Sequence, residues 1–378
     1  MKVNLSTSYL EKALSVANKI IPSKTPLTVL EGVKIEATDN NLILTTTDLE
    51  NEFKAYINCE VFKEGSVILP SKDFFKIISK IDYPEIQLEV EENKLIINSL
   101  GFRAELTTIS EGEYPEIDFG DFNNSITLNS EEFENGINYV IYASSYPEDS
   151  NPVFAGILFE INNNNINLVA TDGSQLALYS ISYQSSKKLN NEEVYKLIVP
   201  VKSLNAVLKE LNEEVVINFN ETSISFSYDT EFGKVTINSK LIEGSFPEYK
   251  EVIPSKFKTS FSISRKPFLN AIKRVSLLSK CKELSGVIIF NIAKNKLVIE
   301  SIESEIGKAK EELIISNFKG ESLNVAFNSK FLEDMLNKVK EDELILSFID
   351  SDSPLKCELS EKEGFLYLLM PVRISAVV

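Results

Sequence analysis

The stretch Pro70-SKDFFKIISK-Ile81 decides the fold, because the chain repeats it twice more. It returns as Pro200-VKSLNAVLKE-Leu211 and as Asn328-SKFLEDMLNK-Val339. In each copy apolar residues recur at i, i+3, i+4 and i+7. They are Phe74, Ile77, Ile78 and Ile81, then Leu204, Val207, Leu208 and Leu211, then Leu332, Met335, Leu336 and Val339. That spacing gathers them on one buried face of a helix. A lysine stands two residues before the first anchor each time, at Lys72, Lys202 and Lys330. At about 100° per residue it projects nearly opposite the core. One unit has been copied with a basic side outward.

A second helix leads each copy with the same spacing. Its anchors are Leu10/Ala13/Leu14/Ala17, Phe133/Gly136/Ile137/Val140 and Phe268/Ala271/Ile272/Val275. The copies stand about 125 to 130 residues apart, and the drift is what insertions in surface loops produce. Between and after the helices lie β-branched stretches with partial alternation: 41–51, 85–99, 166–181, 215–228, 296–304 and 343–359. Turn signals such as Glu92-Asn93, Asn162 to Asn165 and Asn220-Glu221 split them into hairpins. Glu111-GEYPEI and Glu243-GSFPEY echo each other at the ends of the first two copies. Each copy reads helix, strands, helix, strands, an α+β arrangement of two helices on antiparallel sheet. Three domains of ordinary size are expected: 1–122, 123–253 and 254–378.

Composition narrows the function. The chain has no histidine, which removes imidazole acid–base catalysis, Ser-His-Asp and Cys-His arrangements, and histidine metal ligation. No segment matches a glycine-rich phosphate loop. Cys59, Cys281 and Cys357 are scattered without metal spacing, as expected of reduced thiols in a cytoplasmic protein. No cofactor or metal is called for. The N-terminus has no apolar run of the signal-peptide kind, and no stretch approaches the roughly 20 apolar residues of a membrane span. Asp172, in Ala170-TDGS, is the best candidate for a carboxylate-dependent hydrolase, against which stands a Thr-Asp-Gly turn between strands. A net charge of −17 argues against nucleic acid as a whole-molecule partner. Distribution matters more than the sum. Lys12 and Lys19, then Lys72, Lys76 and Lys80, then Lys273, Arg274 and Lys338 all lie away from the apolar faces of their helices.

Four segments, in order over the full length, carry a resemblance. They are Pro26-LTVLEGVKIEATDNNLILTTTDLE, Val169-ATDGSQLAL, Leu241-IEGSFPEYKEVIP and Leu366-YLLMPVRI. Together they resemble the bacterial replicative sliding clamps, the β subunits of DNA polymerase III. The resemblance implies clamp domains that close into a ring as a head-to-tail homodimer, with helices lining the hole and sheets outside. Such a ring encircles double-stranded DNA without reading sequence. It tethers the replicative polymerase α subunit, the clamp loader and other clamp-motif proteins, and confers processivity without being an enzyme.

The resemblance also implies site residues. A peptide pocket maps onto Phe154, Thr171, Gly173, Leu176, Pro247, Val252, Leu368, Leu369, Met370, Pro371 and Arg373. DNA-facing residues are Lys12, Lys19, Lys24, Lys72, Lys76, Lys80, Lys202, Lys273, Arg274, Lys330 and Lys338. The dimer contact falls on Ala104 and Leu106 of one protomer and Leu277 and Leu278 of the other. The chain departs from the family pattern at Asn151, at Ser174-Gln175, at Glu251, at Thr28-Val29-Leu30 and in the tail from Ser375, which makes the pocket rim more acidic and polar. The readings from other classes are the carboxylate-dependent hydrolase and an interaction scaffold with no DNA role.

Overall fold

Both repeated helices form in all three copies. The computed structural model describes residues 1–22, 25–109, 114–145, 151–183, 189, 194–208, 211–279, 285–302 and 307–373. The leading helices are α1 (Thr7–Ile20), α3 (Ser130–Val140) and α5 (Arg265–Ser276), and the later ones are α2 (Ser71–Ile78), α4 (Val201–Val207) and α6 (Ser329–Lys338). Asn129 and Asn328 cap α3 and α6 by accepting from the N–H groups of Glu132 and Lys330. The leading-helix anchors are all buried, Gly136 among them. A Cβ on Gly136 would stand 2.8 Å from Ile181 and 2.9 Å from Leu168, so glycine is what lets α3 sit this close to its sheet. Helix α2 ends a turn earlier than its apolar spacing predicts. The N–H groups of Lys80 and Ile81 turn back to Ile77 and Ile78, three residues before each, and tighten the end of the helix.

Among the described residues, four antiparallel sheets carry the helices. One belongs to the first domain, in the order Glu60–Lys63, Lys2–Ser6, Glu85–Glu91, Lys94–Ser99, Phe102–Thr107. One belongs to the third, in the order Lys310–Ile314, Lys296–Ser301, Val287–Ala293, Leu323–Asn328. The other two cross between domains. An eight-stranded sheet is continuous from the second domain to the first where Gly233–Lys240 pairs with Asn51–Asn58. A nine-stranded sheet is continuous from the second domain to the third where Gln175–Ser182 pairs with Phe365–Leu369.

The two joints are copies of one another. Ile237 lies opposite Phe53 at the first, and Tyr367 lies opposite Ala177 at the second. All four side chains are fully buried. Phe53 and Ala177 occupy the same place in their repeats, being opposite Thr46 and Ala170 of the preceding strands. Ile237 and Tyr367 likewise correspond, opposite Phe226 and Cys357. The helices follow suit, since α1 packs against α4 across the first joint and α3 against α6 across the second. Two strands that hold the corresponding places in the repeat remain unpaired on one side, Phe102–Thr107 and Lys310–Ile314.

Candidate functional site

The outer face of the second joint carries an apolar groove of about 210 Å³. Strand alternation builds its floor. Tyr367 and Leu369 point inward to the core, so Leu368 points outward beside Leu176 of the neighbouring strand. The wall comes from Phe246, Pro247, Glu248, Tyr249 and Val252, and Phe154 meets Phe246 edge-on at 6.4 Å. Met370 and Pro354 close the far side. Val252 is 57 % exposed and Met370 46 %, which is apolar surface left open at the rim.

The loop after Thr171 sets the near end. Asp172 Oδ1 accepts the N–H groups of Ser174 at 2.8 Å and Gln175 at 2.9 Å, and Oδ2 accepts Gln175 Nε2 at 2.9 Å. The carboxylate is therefore the cap of an Asx turn. Thr171 Oγ1 donates to Gln175 O at 2.6 Å, and Gly173 adopts a φ of +88° that favours glycine. Burial pushes the Tyr367 phenol well above its ordinary range, so the hydroxyl stays protonated and donates to Gln175 Oε1 at 2.9 Å. Ser174 O accepts from Met370 N, which ties the loop to the end of the last strand.

The first joint is built differently at the corresponding positions. Glu52 and Asn238 stand where Leu176 and Leu368 stand, and Asn238 Nδ2 donates to Glu52 Oε1 at 3.1 Å. Leu49, at a φ of 78°, takes the place that Gly173 leaves empty.

Of the residues expected in the pocket, Phe154, Thr171, Gly173, Leu176, Pro247, Val252, Leu368 and Met370 line the groove. Leu369, Pro371 and Arg373 do not. Leu369 is on the inward face of its strand. Past Met370 the chain turns away, Val372 N donating to Ala326 O, and Arg373 is exposed and faces Asp352 at 3.6 Å. Ser174 and Gln175, read in the sequence as departures at the rim, line it as well, and Phe246, Glu248, Tyr249 and Pro354 line it without having been expected. The echo Glu243-GSFPEY holds three of them, and its repetition was the available signal.

The cations sort into two groups. Lys19, Lys72, Lys80 and Lys330 are exposed on the helix layer and make no ion pair among the described residues. Lys19 borders a hollow of about 490 Å³ between α1, α3 and α4, together with Glu134 and Lys202. Lys12 pairs with Glu231 at 2.7 Å, Lys76 with Asp73 at 3.1 Å, Lys202 with Asp48 across the first joint, and Arg274 with Glu311. Lys273 and Lys338 donate to Asn337 and Asn138 at 3.1 Å. Lys24 lies outside the described residues. Helix α3 carries Glu131, Glu132 and Glu134 and no lysine, so the basic face is not uniform around the repeats. Ala104 and Leu106 lie half-buried on an open edge strand, with Leu277 64 % exposed and Leu278 half-buried after α5.

Three α+β repeats fused through shared sheets, with a groove over the second joint, define a three-domain clamp architecture. The family models for the N-terminal, central and C-terminal domains of the DNA polymerase III beta subunit match residues 1–118, 127–248 and 250–373. The chain belongs to that family. It is 28 % identical to the beta sliding clamp of Halalkalibacterium halodurans over 94 % of this chain and 95 % of that one. It is 27 % identical to that of Bacillus subtilis over 99 % of this chain and 100 % of the other. The crystal structure of the Thermotoga maritima DNA polymerase III beta subunit superposes with a TM-score of 0.89 at 28 % identity, over 99 % of both chains.

Replacing Tyr367 with Phe removes the donor to Gln175 Oε1 at the base of the groove loop. The buried acceptor then lacks its partner, and the second joint is expected to lose about 1–3 kcal/mol, measured as a lowered urea midpoint.

Proposed function

We propose that two copies of this chain close head to tail into a ring around duplex DNA and act as a processivity factor for a DNA polymerase, without catalysis of their own. One observation carries this reading: both internal joints use one register, and among the described residues the strands left open at the corresponding places are Phe102–Thr107 and Lys310–Ile314. Carried to the third joint, that register sets Ala104 opposite Ala309 of the partner subunit and Glu105 opposite Lys308 of the partner subunit. Arg103 faces Lys310 of the partner subunit, with glutamates on both sides.

An exposed sheet edge needs a partner, and a head-to-tail contact that closes makes a ring. The apolar surface supports this. Tyr83, Leu100, Phe102, Leu277 and Ile314 are all exposed large hydrophobics, at 41, 77, 38, 64 and 88 %, and all lie at or beside these two ends. In the closed ring, α5 packs on α2 of the partner subunit as α1 packs on α4.

The helix layer then lines the hole. Lys19, Lys72, Lys80 and Lys330 hold phosphates by charge alone, which sets no register on the DNA and permits sliding. The ion pair Lys76–Asp73, with both side chains more than half exposed, contributes little and yields readily to a phosphate. A net charge of −17 is compatible, because the ring is held by topology and its acidic outer surface repels DNA. No helix among the described residues is long and apolar enough to cross a membrane, and the reading places the protein in the cytoplasm with the replication machinery.

The groove receives partners. Its floor is apolar and its polar groups are already engaged by one another, so a short peptide with leucine and phenylalanine side chains fits it. The clamp loader, the polymerase α subunit and other clamp-motif proteins are the expected bearers. Asp172 gives no support to hydrolysis, since both carboxylate oxygens hold the turn.

A peptide of the form Gln-Leu-x-Leu-Phe is expected to bind one site per protomer. Leu176→Asp and Met370→Ala are each expected to weaken it by about 1–3 kcal/mol, measured by fluorescence anisotropy. Unchanged affinity in both variants would place the site elsewhere. Leu106→Asp puts a carboxylate into the third joint. It is expected to sediment as a folded monomer that still binds the peptide and leaves closed circular duplex, on which the unaltered protein is retained. Free short duplex is bound only at about 10⁻⁴ to 10⁻⁶ M.

A further inference from the structure

Glu160 is an acid set into the apolar face that underlies the groove. It lies on the strand Gly156–Ile161, opposite Asn167 on one side and Lys196 on the other. Its face is shared with Leu158, Val169 and Ile198. The side chain is 5 % exposed, and a carboxylate buried this far is unfavourable unless its oxygens are bonded. They are. Oε2 accepts Asn167 Nδ2 at 2.9 Å and the Tyr249 hydroxyl at 2.7 Å, and Oε1 accepts Lys250 Nζ at 3.0 Å. Burial alone would raise the Glu160 pKa, but the bonds from Asn167, Tyr249 and Lys250 outweigh it and hold the carboxyl below its ordinary value.

Two of these three donors belong to the short helical turn Tyr249–Val252, part of the groove wall. That wall has little else polar to hold it. Ile242 N donates to Ile198 O, and the next backbone tie to a sheet is Lys258 N to Phe348 O. Between them, among the described residues, the backbone bonds are local: Tyr249 N to Pro247 O and Glu251 N to Glu248 O. Among the described residues the Lys196–Glu248 pair at 2.7 Å is a further side-chain tie, and both of its members are exposed. The first repeat supplies a contrast. Glu36 occupies the place of Glu160, but its side chain is 46 % exposed and its ion pair is with Lys34 at 3.6 Å. The buried form of this acid occurs where there is a groove wall to hold.

We propose that Glu160 is a positioning residue of the peptide groove: through Tyr249 and Lys250 it fixes the wall at the width that grips the apolar side chains of the bound peptide. The inference rests on the groove reading given above. Glu160 touches no peptide, so it acts through Tyr249 and Lys250 alone.

The experiment is a double-mutant cycle on peptide affinity. The full-length dimer and the labelled Gln-Leu-x-Leu-Phe peptide are used with Glu160→Gln, Tyr249→Phe and the pair combined. Tyr249→Phe keeps the ring in the wall and deletes only the hydroxyl, so it remains informative even if Glu160→Gln fails to fold. Each single change is expected to weaken binding about tenfold. The pair is expected to be no worse than the stronger single, because both changes loosen the same tie between the Glu160 carboxylate and the Tyr249–Val252 turn. Dimerisation by sedimentation is expected to be unchanged, which a general loss of structure would not allow. Full peptide affinity in Tyr249→Phe overturns the inference, and so do losses that multiply in the double variant. Failure of the unaltered protein to bind the peptide overturns the groove reading itself, and this inference with it.

Discussion

An antiparallel sheet ends in a row of unpaired N–H and C=O groups, and the construction of this chain follows from where those rows go. At each internal joint the last strand of one domain pairs with the fourth strand of the domain before it, Gly233–Lys240 with Asn51–Asn58 and Phe365–Leu369 with Gln175–Ser182. The pairing makes one sheet of two domains, which leaves little freedom to hinge. Each joint repeats the same register, so the three domains leave one open edge strand at either end, Phe102–Thr107 and Lys310–Ile314. Water is a poor final partner for those ends, given the large apolar side chains exposed beside them. In the proposed head-to-tail dimer a second copy satisfies both at once.

The groove is a by-product of the same joint, made useful by three differences between repeats. With Leu176 and Leu368 on the outer face the joint offers apolar floor, and with Glu52 and Asn238 it offers a closed hydrogen-bonded pair. Gly173 leaves space where Leu49 fills it. One joint can thus be purely structural and the other can serve partners, although the backbones match in register. The cost of opening is an exposed apolar rim at Val252 and Met370, and a wall that has to be fastened from behind.

Helix periodicity made the triplication legible, because the i, i+3, i+4, i+7 anchors at Leu10, Phe133 and Phe268 need only local sequence. The fate of the lysines was not legible. Lys202 meets Asp48 across 154 residues, and Lys12 meets Glu231 across 219, and no spacing rule reaches so far. The groove falls between these cases. Alternation along Phe365–Leu369 was enough to separate Leu368 from Leu369, yet family resemblance alone put both in the pocket. Tyr249 and Phe246 stood in the Glu243-GSFPEY echo, but the turn that carries them is held by Glu160, a strand residue about 90 positions earlier. Pro354 gave no sequence signal at all.

The third joint carries the whole account, and its register can be read covalently. With Ala104→Cys and Ala309→Cys in one chain, directly opposed positions come within disulfide reach only if the third joint repeats the other two. Mild oxidation is expected to give a covalent dimer on a non-reducing gel, closed at both ends and retained on circular duplex. A protein that stays monomeric on that gel, or one that cross-links instead when Ala104→Cys is combined with Glu311→Cys, would contradict the account.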